Sequence, residues 1–436
     1  MMSHSRLTLT ALCLLLAGCG TPASETIPPT AGNPPEPAAK AEAAPIDDAA
    51  TDKVPYVNPL TPEEQAAGWI NLFDGQSLFG WKSNNDEVNW HVVEGAITSN
   101  EGPKGLLLTS VPYANFELIA EFQMEAGGNS GIFLRTPANP TDPTKDCYEL
   151  NIVDEHPSGF LTGSLVGRVK TEQPLTGSGD WKTFRVIAEG RHFQVFLDGE
   201  QVLDFTDETE NFQPSGLIGL QRNAGAVSFR NLRLRPLGMT DLFNGEDLSG
   251  WRIVPGSLSH FTVEEGTIHA TNGAGFLETE NTYGNFIFQS DSQTHAAELN
   301  SGYFFRAMAG TEESPSNGYE AQIHNGTTDG DRHRPNNAGT GAIFRRVDAR
   351  YVVANDNEWS TMTLIANGPQ IAVWVNGYQV VDWEDTRKPD ENPRRGQRLA
   401  AGHISLQGHD PTTDISFRNL KIAELPATDA GSPAAP

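Results

Sequence analysis

Cysteine is scarce. The 436-residue chain has three, Cys13, Cys19 and Cys147. The first two fall in an apolar N-terminal segment, so the remainder holds one thiol and no disulfide framework. A lone Cys147 reads as a packing residue. Basic residues are few: 30 Lys and Arg stand against 56 Asp and Glu, for a net charge of −26. That balance argues against nucleic acid as a partner and against charge-driven docking on an anionic membrane. No stretch reaches eighteen consecutive apolar residues, so no segment reads as a membrane-spanning helix. Long segments of 3.6-residue periodicity are missing as well. So are the phosphate-binding, dinucleotide-binding, serine-hydrolase and zincin motifs, which leaves nucleotide-dependent and those hydrolytic chemistries without support.

What is present begins with an address. Arg6 precedes an almost wholly apolar run over residues 7–16, which ends in Leu16-Ala17-Gly18-Cys19. The run is too short to span a bilayer, and its end resembles a bacterial lipobox. This predicts a signal peptide over residues 1–19, lipid attachment at Cys19, and a place in the bacterial envelope facing the periplasm or the exterior. The membrane would then be a partner through the lipid alone. Residues 20–60 are rich in Pro and Ala, with no aromatic before Tyr56, and are expected to be a disordered tether. The tail, residues 426–436, has the same character.

Between them lies a duplication. Leu72-Phe73-Asp74-Gly75 with Gly80-Trp81 recurs as Leu242-Phe243-Asn244-Gly245 with Gly250-Trp251. Residues 129–135 (NSGIFLR) recur at 300–306 (NSGYFFR), and residues 228–232 (SFRNL) recur unchanged at 416–420. A period this long means two domains, expected over residues 61–238 and 239–425, each large enough for its own core. Each reads as strands. Asp198-Gly199 and Asn376-Gly377 are hairpin turns that need positive φ. Phe116, Leu118, Ala120 and Phe122 alternate on one face. The one helical candidate is residues 61–67, with Thr61 as N-cap and Pro62 at the first helical position. Short strands with Gly-rich turns make an all-β two-sheet sandwich or jelly roll.

The alternation places Glu149 and Asn151 on one strand face, opposite Tyr148, Leu150 and Ile152. In the second domain Glu320, Gln322 and His324 share the matching face. On the preceding strands, unbroken alternation sets Phe133 with Arg135, and the same for Arg306. An Arg, a carboxylate and an amide on neighbouring strands could line a polar cleft suited to a sugar. The same residues fit a plain cross-strand ion pair, and spacing does not separate the two. Phe196 and Trp374 share a hairpin position and fit packing better than sugar stacking.

Taken together, the quoted motifs, with residues 148–152 (YELNI), 319–323 (YEAQI) and 406–410 (LQGHD), resemble the 3-keto-disaccharide hydrolase family. The resemblance covers about residues 68–238 and 239–425. It implies tandem concanavalin A-like jelly rolls and cleavage of 3-keto-glycosides or 3-keto-disaccharides. A C3 ketone acidifies the C2 proton; a base removes it, the C1 substituent departs, and water adds. The resemblance makes Glu149 and Glu320 candidate proton-transfer groups, Arg135 and Arg306 candidates to polarise the ketone, and His324 a candidate acid or base. Asn129, Asn151, Asp154, His156, Asn300, Gln322 and His409 are the candidate substrate-binding residues. No cofactor is implied. A divalent metal would fit enolate stabilisation, but no dense ligand cluster in the sequence demands one. A carbohydrate-binding lipoprotein without catalysis is the alternative on the same fold.

Overall fold

The computed structural model describes residues 58–392 and 394–426. The signal segment with Cys19, nearly all of the expected tether and residues 427–436 lie outside the described residues.

The chain opens with the short helix Pro62–Ala66. Thr61 accepts from Glu64 N and the Glu64 carboxylate accepts from Thr61 N, a capping box that closes the first turn. Two β-sandwiches follow. In the first, an eight-stranded antiparallel sheet packs on a five-stranded one. The smaller sheet has the order Trp81–Ser83, Gly105–Thr109, Leu217–Arg222, Ser130–Thr136, Tyr148–Ile152. The second sandwich repeats it with Trp251–Ile253, Gly275–Thr279, His403–Gly408, Ser301–Ala307 and Tyr319–Ile323. Alternate residues of both sheets meet in the core, including Phe116, Leu118, Ile132, Leu150 and Leu220. The hairpin turns adopt the expected positive φ: 50° and 90° at Asp198 and Gly199, 48° and 78° at Asn376 and Gly377.

The two sandwiches are continuous in their packing. Ile287, Ile365, Ala372 and Trp374 of the second join the apolar cluster that includes Ile70 of the first. Trp374 is 1% exposed and donates its indole N–H to Asn71 O at 2.9 Å. Asn71 N donates to Gly377 O at 2.8 Å, and Gln289 Nε2 to Gly68 O at 2.8 Å. Arg350 Nη2 meets Asp74 Oδ2 at 2.9 Å, with its guanidinium between the rings of Phe79 and Tyr378. Trp374 is therefore an interface anchor. Phe196, its counterpart, is half-buried beneath Arg185.

One local irregularity decides the fate of two candidate residues. Leu217 pairs with Thr136 and Gly219 with Phe133, so Leu134 and Arg135 together oppose Ile218 alone. That is a β-bulge, and Arg135 sits in it at φ 50°. The extra residue breaks the alternation and turns the Arg135 side chain toward the sandwich interior. An identical bulge puts Arg306 at φ 48°. The backbone approach is close: a Cβ on Gly216 would lie 2.3 Å from Arg135 C, and one on Gly402 2.4 Å from Arg306 C. Only glycine fits at either place.

Candidate active site

The outer face of each smaller sheet carries the chemistry. The Asn-Ser-Gly start of the central strand builds its floor. Ser130 and Ser301 each donate to a neighbouring-strand carbonyl, Gln221 O and Gln407 O, both at 2.7 Å. Gly131 and Gly302 leave room for the carboxylates beside them: an added methyl would sit 3.5 Å from Glu149 Oε1 and 3.3 Å from Glu320 Oε1. Cross-strand register aligns Phe133 with Glu149, and Phe304 with Glu320.

In the second sandwich, Glu320, Gln322 and His324 share this face as expected, with Asn300 and Gln407 beside them. Glu320 is 8% exposed, and burial raises its carboxyl to about 7; the charges of Arg394, His409 and Arg345 oppose the rise. Arg394 Nη2 lies 3.7 Å from Glu320 Oε2. Gln322 Nε2 donates to Asn337 O at 3.0 Å. The Nδ1 of His324 accepts from Gly326 N at 3.2 Å, which leaves Nε2 to carry the proton of the neutral ring. Burial pushes the His324 imidazolium pKa down, favouring that neutral form. His409 is exposed and pairs through Nδ1 with Asp410 Oδ2 at 2.8 Å. Three buried oxygens here have no partner: Asn300 Oδ1, Gln322 Oε1 and Gln407 Oε1. Buried acceptors without donors are uncommon, and sugar hydroxyls are the donors such a set would take.

The first sandwich has the same frame with other side chains. Burial again raises the Glu149 carboxyl, opposed by a 2.9 Å hydrogen bond from Gln221 Nε2 and by the charge of Lys104. Asn151 is spent on the chain, donating to Phe160 O at 2.6 Å and accepting from Ile152 N. Asn129 accepts from Asn223 Nδ2 at 2.9 Å. Val153 stands where the second copy has His324. A depression of about 280 Å³ beside this face is lined by Lys104, Phe133, Gln221 and Arg222. A larger crevice lies between the sandwiches, lined by Asn115, Asn244 and Tyr283 among others, and contains neither glutamate.

Four expected site residues do other work. Arg135 is fully buried and donates to Ala114 O, Gly190 O and Gln213 O. Arg306 donates likewise to Gly284 O, Gly368 O and Arg398 O. Each guanidinium gathers three loops at one end of its sandwich, and burial lowers each pKa to about 10. Neither is available to polarise a ketone, because the bulge aims it away from the glutamate face. Asp154 accepts from Gly177 N and from Ser178 N and Oγ, closing a loop. His156 is exposed and bonds Ser158 Oγ at 2.7 Å within its own turn. Cys147 is buried, and burial pushes its thiol up to about 12, so it packs and does not react.

The arginines whose charges act on Glu320 were missed by sequence reasoning. Arg345 and Arg394 come from loops. Arg345 holds φ 62°, a conformation that disfavours every side chain, and its counterpart in the first copy is Gly167 at φ 74°. A glycine position filled by arginine beside the conserved carboxylate site of the duplication was the available signal.

The 3-keto-alpha-glucoside-1,2-lyase-like domain matches residues 68–235 and again 238–423. The chain belongs to this family, as two tandem copies. A 3-keto-disaccharide hydrolase of Bacteroides thetaiotaomicron is 31% identical, over 39% of this chain and 79% of that protein. Among solved structures, a candidate glycosyl hydrolase from Parabacteroides distasonis aligns at 23% identity with a TM-score of 0.37, covering 41% of this chain and 99% of its own. The carbohydrate-binding module CBM66 from Bacillus subtilis aligns at 17% identity and TM-score 0.29, covering 36% and 95%. Family membership puts the chain among glycoside-cleaving proteins.

Proposed function

We propose that the chain cleaves glycosides whose glucosyl C3 is a ketone, by elimination and hydration, and that the second sandwich performs the reaction. The observation that carries this is Glu320: a buried carboxylate raised to about 7 and flanked by Arg394 and Arg345. A general base poised near neutrality is what removal of the C2 proton needs. The flanking guanidinium groups stabilise the enolate oxygen at C3. As the C2–H electrons form the C1–C2 double bond, the C1–O bond breaks and the departing oxygen takes a proton from His409, backed by Asp410. Water then adds across the double bond, hydroxyl to C1 and proton to C2, releasing 3-ketoglucose. His324, with the proton on Nε2, and the open oxygens of Asn300, Gln322 and Gln407 orient the sugar hydroxyls. The lipobox motif supports anchoring in the bacterial envelope through Cys19.

The test incubates the chain with 3-keto-trehalose, 3-keto-lactose and a 3-keto-glucoside beside their unoxidised parents, with sugar release followed by mass spectrometry. Release from the keto substrates alone is expected. Binding of glycans without release from any would replace the enzyme with a carbohydrate-binding protein. Anchoring is read separately: lipid labelling and membrane fractionation should both be lost in Cys19→Ala, and labelling that persists would remove the anchor at Cys19.

A further inference from the structure

The opposite sheet of the second sandwich carries a cluster that glycoside cleavage does not use. Its strands Thr267–Thr271 and Asp414–Glu424 are neighbours, and Thr294 ends the strand on the far side of the latter. Ile268, Ala270, Ile415 and Phe417 point into the core, so His269 and Asp414 emerge on the outer surface. His295 follows Thr294 and is held by its N–H to Asp414 O at 2.9 Å. His269 Nε2 lies 2.7 Å from Asp414 Oδ1, and the two imidazole rings meet edge to face at 5.5 Å. One ligand atom from each of His269, His295 and Asp414 falls within 4.8 Å of the others. Ser416 Oγ adds an oxygen 2.8 Å from His295 Nε2.

We propose that His269, His295 and Asp414 form a surface binding site for a divalent transition-metal cation of the Zn²⁺ type. Two imidazoles and a carboxylate are ligands this ion takes, at about 2.0–2.2 Å, and three protein ligands leave a position for water. His269 and Asp414 are half-buried and His295 is exposed, so all three can be reached by an ion from solvent. Among the described residues this is the one place where three such ligand atoms converge. Each ligand sits on a different strand or strand end, so the ion would tie three segments of the sheet together.

The duplication supplies the control. The same sheet positions in the first sandwich hold Thr98, Glu125 and Ala226. Thr98 pairs with Ser228 as His269 pairs with Ser416, and Glu125 N bonds Ala226 O as His295 N bonds Asp414 O. The fold therefore does not require the ligand set, and a variant carrying the first copy's residues, H269T/D414A, should fold.

Zn²⁺ binding to the full chain is measured by competition with a chromophoric chelator, alongside the melting temperature with and without Zn²⁺. One equivalent bound at micromolar or tighter affinity is expected, with a Zn²⁺-dependent rise in melting temperature. H269T/D414A should melt as a folded protein, bind Zn²⁺ at least tenfold more weakly and lose the rise, while H324A/H409A keeps both. Equal binding by wild type and H269T/D414A, no binding by wild type, or loss confined to H324A/H409A would each overturn the proposal.

Discussion

The glutamate faces of the two sandwiches share one backbone plan and differ in what surrounds the carboxylate. Around Glu149, Gln221 bonds the carboxylate and keeps its Oε1 open, Asn151 bonds the chain, Asn129 bonds Asn223, Val153 is apolar, and Lys104 is the cation whose charge is felt. Around Glu320 stand Arg394, His409 and His324, with three acceptors left open. A duplicated fold conserves position and lets charge diverge. Retention alone does not separate the halves, since both keep the glutamate; the divergent residues around it mark where they do different work.

The strongest way to break this comparison is to neutralise each carboxylate in turn. Glu320→Gln should lower turnover of a 3-keto-glucoside by about 10²–10⁴-fold, the range of a lost general base, while Glu149→Gln changes it less than threefold. Equal losses in initial-rate assays would return catalysis to both halves. The matched hairpin position separates the halves structurally. Trp374→Ala should cost about 3–5 kcal/mol in urea unfolding, as truncation of a buried Trp does, whereas Phe196→Ala should cost under about 1 kcal/mol. Comparable costs would mean that the sandwiches do not depend on that anchor. Arg345→Gly imports the first copy's residue. It should reduce turnover roughly tenfold or more and relieve about 1 kcal/mol of left-handed strain. A variant that is both active and no more stable would remove Arg345 from the site.

The smallest effect concerns pH. Glu320 titrates in the folded protein at about 7, above its ordinary 4.5. The stability it contributes is complete below about 4.5 and is lost as pH rises through about 7. Glu320→Gln should therefore match wild type at pH 4 and exceed it at pH 8 by about 1–3 kcal/mol. A pH-independent difference between the two unfolding curves would show that burial does not perturb this carboxyl. Turnover, which needs the carboxylate, should rise over the same interval.

Much of this was legible in the residues. The repeated motifs disclosed two copies, the Asp-Gly and Asn-Gly turns marked their hairpins, and alternation put Glu149 and Glu320 on the faces they occupy. Arg135 and Arg306 were misread because alternation assumes an unbroken two-residue period. A single extra residue opposite Ile218 or Ile404 reverses the face, and no local sequence signal announces it. Arg345 and Arg394 were missed because loops bring them to Glu320. His269 and Asp414 are 145 positions apart and form no motif. The arginines repeated in both copies proved to be holding loops, so retention between copies identified architecture more readily than chemistry.

The indole of Trp374 and the carbonyl of Asn71 are separated by 303 positions of chain. At a synthesis rate of about 5–20 residues per second, Asn71 is made about 15–60 s before its partner. The first sandwich can close its two sheets only once Leu217–Arg222 and Val227–Pro236 have been made, and from then until Trp374 appears its flank around Ile70 is uncovered. The newborn chain thus carries an apolar flank at the seam until the second half arrives to cover it.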